Sequence, residues 1–274
     1  WFLTYDRVPA RAWDMTESWF GLVGLFVAGV VAGAINSVAG GGTLISYPAL
    51  VAFGIPPVRA NATNTAAVCP GAMSSAIAYR HDLPADRSLL TTLLLPSLFG
   101  GLLGAWVLAI TPDRLFARIV PFLVLFATVL FATRDRFGRY LNPKRDGRGG
   151  VGKPGRIWGF CFQFFVASYG GYFGAGIGIL MLASLGLMGL SNIHRMNALK
   201  TLLGSLINGT ALVYFIIRKL VVWPVALLMT AGTVLGGYVG ARLAKRVDQR
   251  RLQMFIVVVG LAVSAWLFYK AGQS

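Results

Sequence analysis

Three strings recur in this chain about 136 residues apart, each set in strongly apolar sequence. Gly40-Gly41-Gly42-Thr43-Leu44 returns as Gly176-Ile177-Gly178-Ile179-Leu180, and Asn61-Ala62-Thr63-Asn64-Thr65 returns as Asn197-Ala198-Leu199-Lys200-Thr201. Gly100-Gly101-Leu102-Leu103-Gly104-Ala105 returns as Gly236-Gly237-Tyr238-Val239-Gly240-Ala241. Such a duplication constrains the fold more than any single motif, because each half must supply the same elements. Apolar copies with glycine breaks at matching places have the build of secondary transporters. In that build the substrate is expected where the broken segments meet.

The apolar background makes the chain a membrane protein whose standing partner is the lipid bilayer. Hydrophobic residues make up 56% of its 274 positions and charged residues 12%, against about 25% charged in a soluble domain. Several runs exceed the roughly 18 apolar residues that mark a spanning helix. The formal net charge of +16 invites a nucleic-acid reading. The basic residues, however, sit between apolar runs, as in the cytoplasmic loops of membrane proteins, and nucleic acid is not an expected partner. Cys69 and Cys161 both fall within apolar runs and give no disulfide framework.

Apolar segments are read at 18–38, 43–54, 60–79, 88–111 and 115–133, and again at 157–175, 177–190, 196–217, 221–241 and 252–269. Each half therefore has five, and the second is short in both. As helices these short segments would rise only about 18–21 Å, less than the roughly 30 Å hydrocarbon core. Each follows a glycine cluster, and each is expected to be a half-helix or the return arm of a re-entrant hairpin. The fold class is an all-α polytopic membrane protein with two internal repeats, 1–133 and 157–274, joined by a basic linker over 134–156.

Charge sets the orientation. The linker carries Arg134, Arg136, Arg139, Lys144, Arg145, Arg148, Lys153 and Arg156, and a second cluster holds Arg242, Lys245, Arg246, Arg250 and Arg251. Both belong in the cytoplasm by the positive-inside rule. That needs an even number of crossings between them, which one broken helix over 157–190 would not give. The number of crossings per half is then odd, so the repeats are inverted and both termini lie outside. Gly100, Gly101 and Gly104, with Gly236, Gly237 and Gly240, have the small-xxx-small spacing of closely packed helices.

Polar groups in membrane spans are costly and mark candidate sites. Asn61, Asn64 and Thr65 form one cluster. Its echo, Asn197, Lys200 and Thr201, continues through Ser205 and Asn208 as a stripe at helical period. Two such stripes suggest a polar cavity between the repeats, with interhelical hydrogen bonding as the bland alternative. No carboxylate lies in the segments as drawn, so an anion is a plausible partner for Lys200, and snorkelling is the competing explanation. Helices beginning near Thr43 and Gly178 would present free N–H groups and a partial positive charge to an anion. Gly40, Gly41, Gly42, Gly176 and Gly178 would allow close backbone approach. The histidines and cysteines have no metal-ligand spacing, no nucleophile stands beside a base, and no cofactor, metal or catalytic group is expected. Without an intramembrane carboxylate a proton relay is not expected. The membrane potential, about 2.3 kcal/mol per charge per 100 mV, would favour anion exit.

The run Ala39-Gly40-Gly41-Gly42-Thr43-Leu44-Ile45-Ser46-Tyr47-Pro48, then Gly54 and Ala60-Asn61-Ala62-Thr63-Asn64-Thr65, resembles the sulfite exporter TauE/SafE family of the toluene-sulfonate uptake permease group. That family pairs Gly-Gly-Gly-x-Leu-x-x-Pro with a downstream Ala-x-x-Thr segment. The resemblance covers roughly 20–270. The second half departs from it, with Gly176-Ile177-Gly178 for the glycine run and Ala183 or Ser184 where proline is usual. It implies a multi-pass protein of the bacterial inner membrane that transports sulfite, organosulfonates or related sulfur-containing anions. A non-transporting membrane scaffold or accessory subunit is the alternative, though a scaffold needs no central polar cavity.

Overall fold

The computed structural model describes residues 19–38, 41–78, 80–84, 87–140, 153–188, 190, 192–243 and 249–272, and these are helical with no strand among them. The first half holds α1 (Trp19–Val38), α2 (Thr43–Ala52), α3 (Pro57–Ala78), α4 (Arg87–Ile110) and α5 (Asp113–Tyr140). The second holds α6 (Lys153–Tyr172), α7 (Ile177–Leu187), α8 (Ile193–Ile217), α9 (Trp223–Leu243) and α10 (Gln249–Gly272). Six of them, α1, α4, α5, α8, α9 and α10, contain stretches long and apolar enough to cross a membrane. Each expected segment corresponds to one helix. One boundary matters for chemistry: α5 begins at Asp113, two residues before the expected segment, and its apolar span includes that carboxylate.

The short helices are return arms of hairpins. A Cβ on Gly24 would stand 2.7 Å from the Phe53 ring, and one on Gly42 would stand 2.3 Å from the Ala32 carbonyl. The start of α1 therefore faces the end of α2. In the second half Gly159 faces Met188 and Gly170 faces Ile177, so α7 runs back along α6 in the same way. α2 has 10 residues and α7 has 11, or about 15–17 Å of rise.

The two halves pack by exchange. α1 lies on α9 and α4 on α6; α3 touches α9 and α8 touches α4; α2 touches α10 and α7 touches α5. The pairs α3 with α8 and α5 with α10 join equivalent helices of the two halves. Direction follows from the close approaches. Gly100 faces Phe164 to Ser168 and Gly104 faces Ser168 to Tyr172, so α4 and α6 are parallel. Since α4 turns back on α3, and α3 rises from the same end as α1, α6 points opposite to α1. This is the arrangement that inverted repeats would produce. The alternation also puts the end of α5, the start of α6, the end of α9 and the start of α10 at one end of the molecule, next to the two basic stretches. Residues 141–152 and 244–248 within those stretches lie outside the described residues.

Glycine makes the two main seams possible. A Cβ on Gly104 would meet the Ser168 carbonyl at 2.0 Å, and one on Gly236 would meet the Val30 carbonyl at 1.9 Å. Gly204, also within a helix, has nothing within 4 Å of that position. Gly104→Ala and Gly236→Ala should each cost at least about 1–3 kcal/mol, as overpacking does. Gly204→Ala should be neutral or slightly stabilising. Thermal unfolding of purified protein in detergent checks this, and equal midpoints for the three variants would contradict the seam.

Candidate functional site

The two hairpin tips meet against the middle of α5. The space beside Gly41 is filled by the Phe131 ring, 2.5 Å from where a Cβ would be, and that beside Gly176 by Ala127 at 3.4 Å. Phe131 and Ala127 are one turn apart, close to the midpoint of α5. Gly176 has φ of 75°, a left-handed conformation that glycine adopts without strain. It lets the chain turn directly from α6 into α7.

α3 crosses both tips and is pinned to each by an asparagine. Asn64 accepts a very short hydrogen bond from the Ser46 hydroxyl, and its Nδ2 donates to Thr43 Oγ1 at 3.4 Å. This holds the first turn of α2. One turn earlier, Asn61 Nδ2 donates to the Tyr172 carbonyl at 2.9 Å, at the end of α6. Asn61 and Asn64 are therefore on one face of α3 and reach opposite halves of the protein. In the second half, Lys200 occupies the place on α8 that Asn64 has on α3. Its Cδ lies 3.3 Å from where a Gly178 Cβ would be. The lysine stem thus lies across the first turn of α7, where amides have no partner within the helix.

The expected site residues divide accordingly. Gly41, Gly42, Thr43 and Asn64 come together at the first tip, and Gly176, Gly178 and Lys200 at the second. Asn61 links the tips. The hydroxyls of Thr65 and Thr201 turn back to the carbonyls of Asn61 and Asn197, both at 3.0 Å, and Asn197 is half-buried. Gly40 lies outside the described residues.

Other residues of the site were not expected from sequence. Ser46 ties α2 to α3. Tyr47, Phe116, Tyr172 and Phe173 form an edge-on aromatic group, with Tyr47–Phe173 and Phe116–Tyr172 centroids both 5.5 Å apart. This group lies beneath the second tip, toward the end away from the basic stretches. Closer to that end, Val222 N donates to Thr63 Oγ1 at 3.0 Å and an Arg59 Nη2 donates to the Lys219 carbonyl at 3.2 Å. Asp113 accepts from Val58 N at 2.9 Å at the start of α3. The Thr63 and Arg59 contacts tie the two halves together near that end. The positions matching Tyr47 and Phe116 in the second half are Ala183 and Leu252.

Comparison with known proteins agrees with this architecture. The family model described as "Sulfite exporter TauE/SafE" matches residues 25–267. The chain belongs to the sulfite exporter TauE/SafE family. Among its relatives, "Probable membrane transporter protein YfcA" of Escherichia coli (strain K12) is 31% identical over 247 residues, covering 89% of this chain and 88% of that protein. A "Probable membrane transporter protein" of Haemophilus influenzae is 26% identical over 249 residues, covering 90% of this chain and 94% of that protein. "Probable membrane transporter protein ORF9" of a Sinorhizobium species is 30% identical over 246 residues, covering 88% and 89%. No solved structure matches the chain. The chain is thus a multi-pass membrane transporter of the TauE/SafE family, whose first glycine run and Asn-Ala-Thr segment meet at one hairpin tip.

Asn64 is the most economical test of that tip. Asn64→Ala removes the partner of Ser46 and Thr43 and should lower stability by about 1–3 kcal/mol, the cost of unmatched buried polar groups. Thermal or denaturant unfolding in detergent measures it. A loss below about 0.5 kcal/mol, typical of a surface change, would contradict the tie.

Proposed function

We propose that this TauE/SafE chain carries small sulfur-containing anions, such as sulfite or organosulfonates, across the bacterial inner membrane. It would bind them between the first turns of α2 and α7. The observation that carries the reading is the placement of Lys200 across Gly178 at the start of α7, with the start of α2 brought to the same depth on α5. Two helix N-termini supply partial positive charge, and Lys200 adds a full charge. The family description names sulfite, which fits a compact oxyanion. The repeats of this reading are 1–133 and 157–274, inverted, with the linker 134–156 in the cytoplasm. The anion would reach the site from the linker side, the end opposite the Thr63 and Arg59 contacts that tie the halves together.

Radiolabelled sulfite and a simple alkanesulfonate, offered to proteoliposomes holding the purified chain, test the reading. Lys200→Met should weaken binding by about 1.5–3 kcal/mol, the worth of a charge-assisted hydrogen bond, or roughly 10- to 150-fold. Unchanged affinity in a well-folded Lys200→Met protein would reject the site. Topology has its own test. Arg148→Cys and Arg246→Cys should resist an impermeant thiol reagent added to intact cells and react after permeabilisation; efficient labelling of either from outside would reverse the orientation.

A further inference from the structure

We propose that Asn61 and the C-terminal end of α6 form a binding site for an alkali-metal cation, sodium first among them. The side chain of Asn61 is buried, with 1% of its surface exposed. Its Nδ2 donates to the Tyr172 carbonyl at 2.9 Å. A carbonyl can only accept, so the amide orientation is fixed by its partner. Oδ1 is therefore an acceptor, and it is buried with no hydrogen-bond donor. The nearby Thr65 hydroxyl cannot serve, because it donates to the Asn61 main-chain carbonyl.

The element facing Asn61 is also rich in acceptors. α6 ends at Tyr172, and the last carbonyls of a helix have no partner within it and form the negative end of its dipole. The amides of the turn do little to cover them, since Phe173 N and Gly174 N both bond to the Tyr169 carbonyl. The result is an unmatched amide oxygen placed at the negative end of a helix that stops inside the protein. That is the opposite polarity to the first turn of α7, which begins five residues further on.

Chemistry selects the ligand. An anion is repelled by acceptors alone. Calcium and magnesium sites are built largely on carboxylates, and this one offers amide and peptide oxygens. Nothing in it titrates, so a proton has no place to sit. Neutral oxygens at the end of a discontinuous helix are the usual ligands for sodium in transporters. Two charged groups lie nearby. Arg59 is two residues from Asn61, so it leaves α3 on a different side, where it bonds the Lys219 carbonyl. Asp113 lies one turn before Phe116, whose ring packs on Tyr172, and Arg59 is within electrostatic reach of it, so the two charges largely offset each other and the neutral oxygens carry the site. A cation here and an anion at α7 would lie on the two arms of one hairpin, each against the dipole end it prefers.

The test needs no sulfur anion, so its outcome is independent of the proposed substrate. The full chain in detergent is unfolded thermally as sodium chloride replaces choline chloride at constant ionic strength, and ²²Na⁺ binding is followed by scintillation proximity. Wild type should show a saturable rise in midpoint with sodium and saturable ²²Na⁺ binding. Asn61→Ala should lose both. Asn61→Asp places a full negative charge at the site and should half-saturate at about tenfold lower sodium, as a nearby unit charge implies. It also carries the test if Asn61→Ala does not purify as a folded protein. The proposal is overturned if wild type responds to sodium no more than to choline. It is equally overturned if either folded variant keeps the wild-type half-saturation.

Discussion

A chain that turns round inside a hydrocarbon layer must find partners for the peptide groups of the turn, because no water is there to take them. The rest of this fold follows from how that demand is met at two places. Each tip is shielded by packing rather than by loops. Gly41 lies under Phe131, Gly176 against Ala127, and Gly42 directly on the Ala32 carbonyl. Some of the polar groups that remain are matched by α3, through Asn64 to Thr43 and Ser46 and through Asn61 to Tyr172. α3 is apolar enough to stay inside yet polar enough on one face to serve both tips. Its burial is nearly complete from Ala60 to Ala67.

The same contacts separate the two ends of the molecule. Near the start of α3 the halves are joined by Thr63 with Val222, Arg59 with Lys219, and the rings of Tyr47 and Phe116 against Tyr172 and Phe173. In the second half the positions matching Tyr47, Thr63 and Phe116 hold Ala183, Leu199 and Leu252.

Much of this was legible in the residues. The repeat offset, the short second segments and the glycine clusters gave the number and length of the helices, and the basic stretches anticipated that the chain must double back between them. The glycines themselves were only half legible. Gly41 and Gly42 were expected to admit a ligand, whereas their open sides are filled by Phe131 and Ala32 of the protein itself. A bare backbone reads the same in sequence whether a substrate or a neighbouring helix approaches it. Asn61 shows a second limit. Its polarity marked it as a site residue, but which of its two atoms is left free depends on the Tyr172 carbonyl, 111 residues away in sequence. Asp113 escaped because the segment was drawn from Leu115, just after the charged pair Asp113-Arg114. The structure instead begins α5 on that charge and uses it to hold α3.

The central claim is that an anion sits between the first turns of α2 and α7, beside Lys200. Crystals grown with 2-bromoethanesulfonate would test it most directly, because bromine is located by its anomalous scattering without reference to any model of the ligand. The account predicts one strong bromine peak at mid-depth, beside α5 near Ala127, with the sulfonate oxygens reaching the Gly178 amide and the Lys200 ammonium. Peaks confined to the basic stretches at the membrane surface, with none between the hairpin tips, would contradict it.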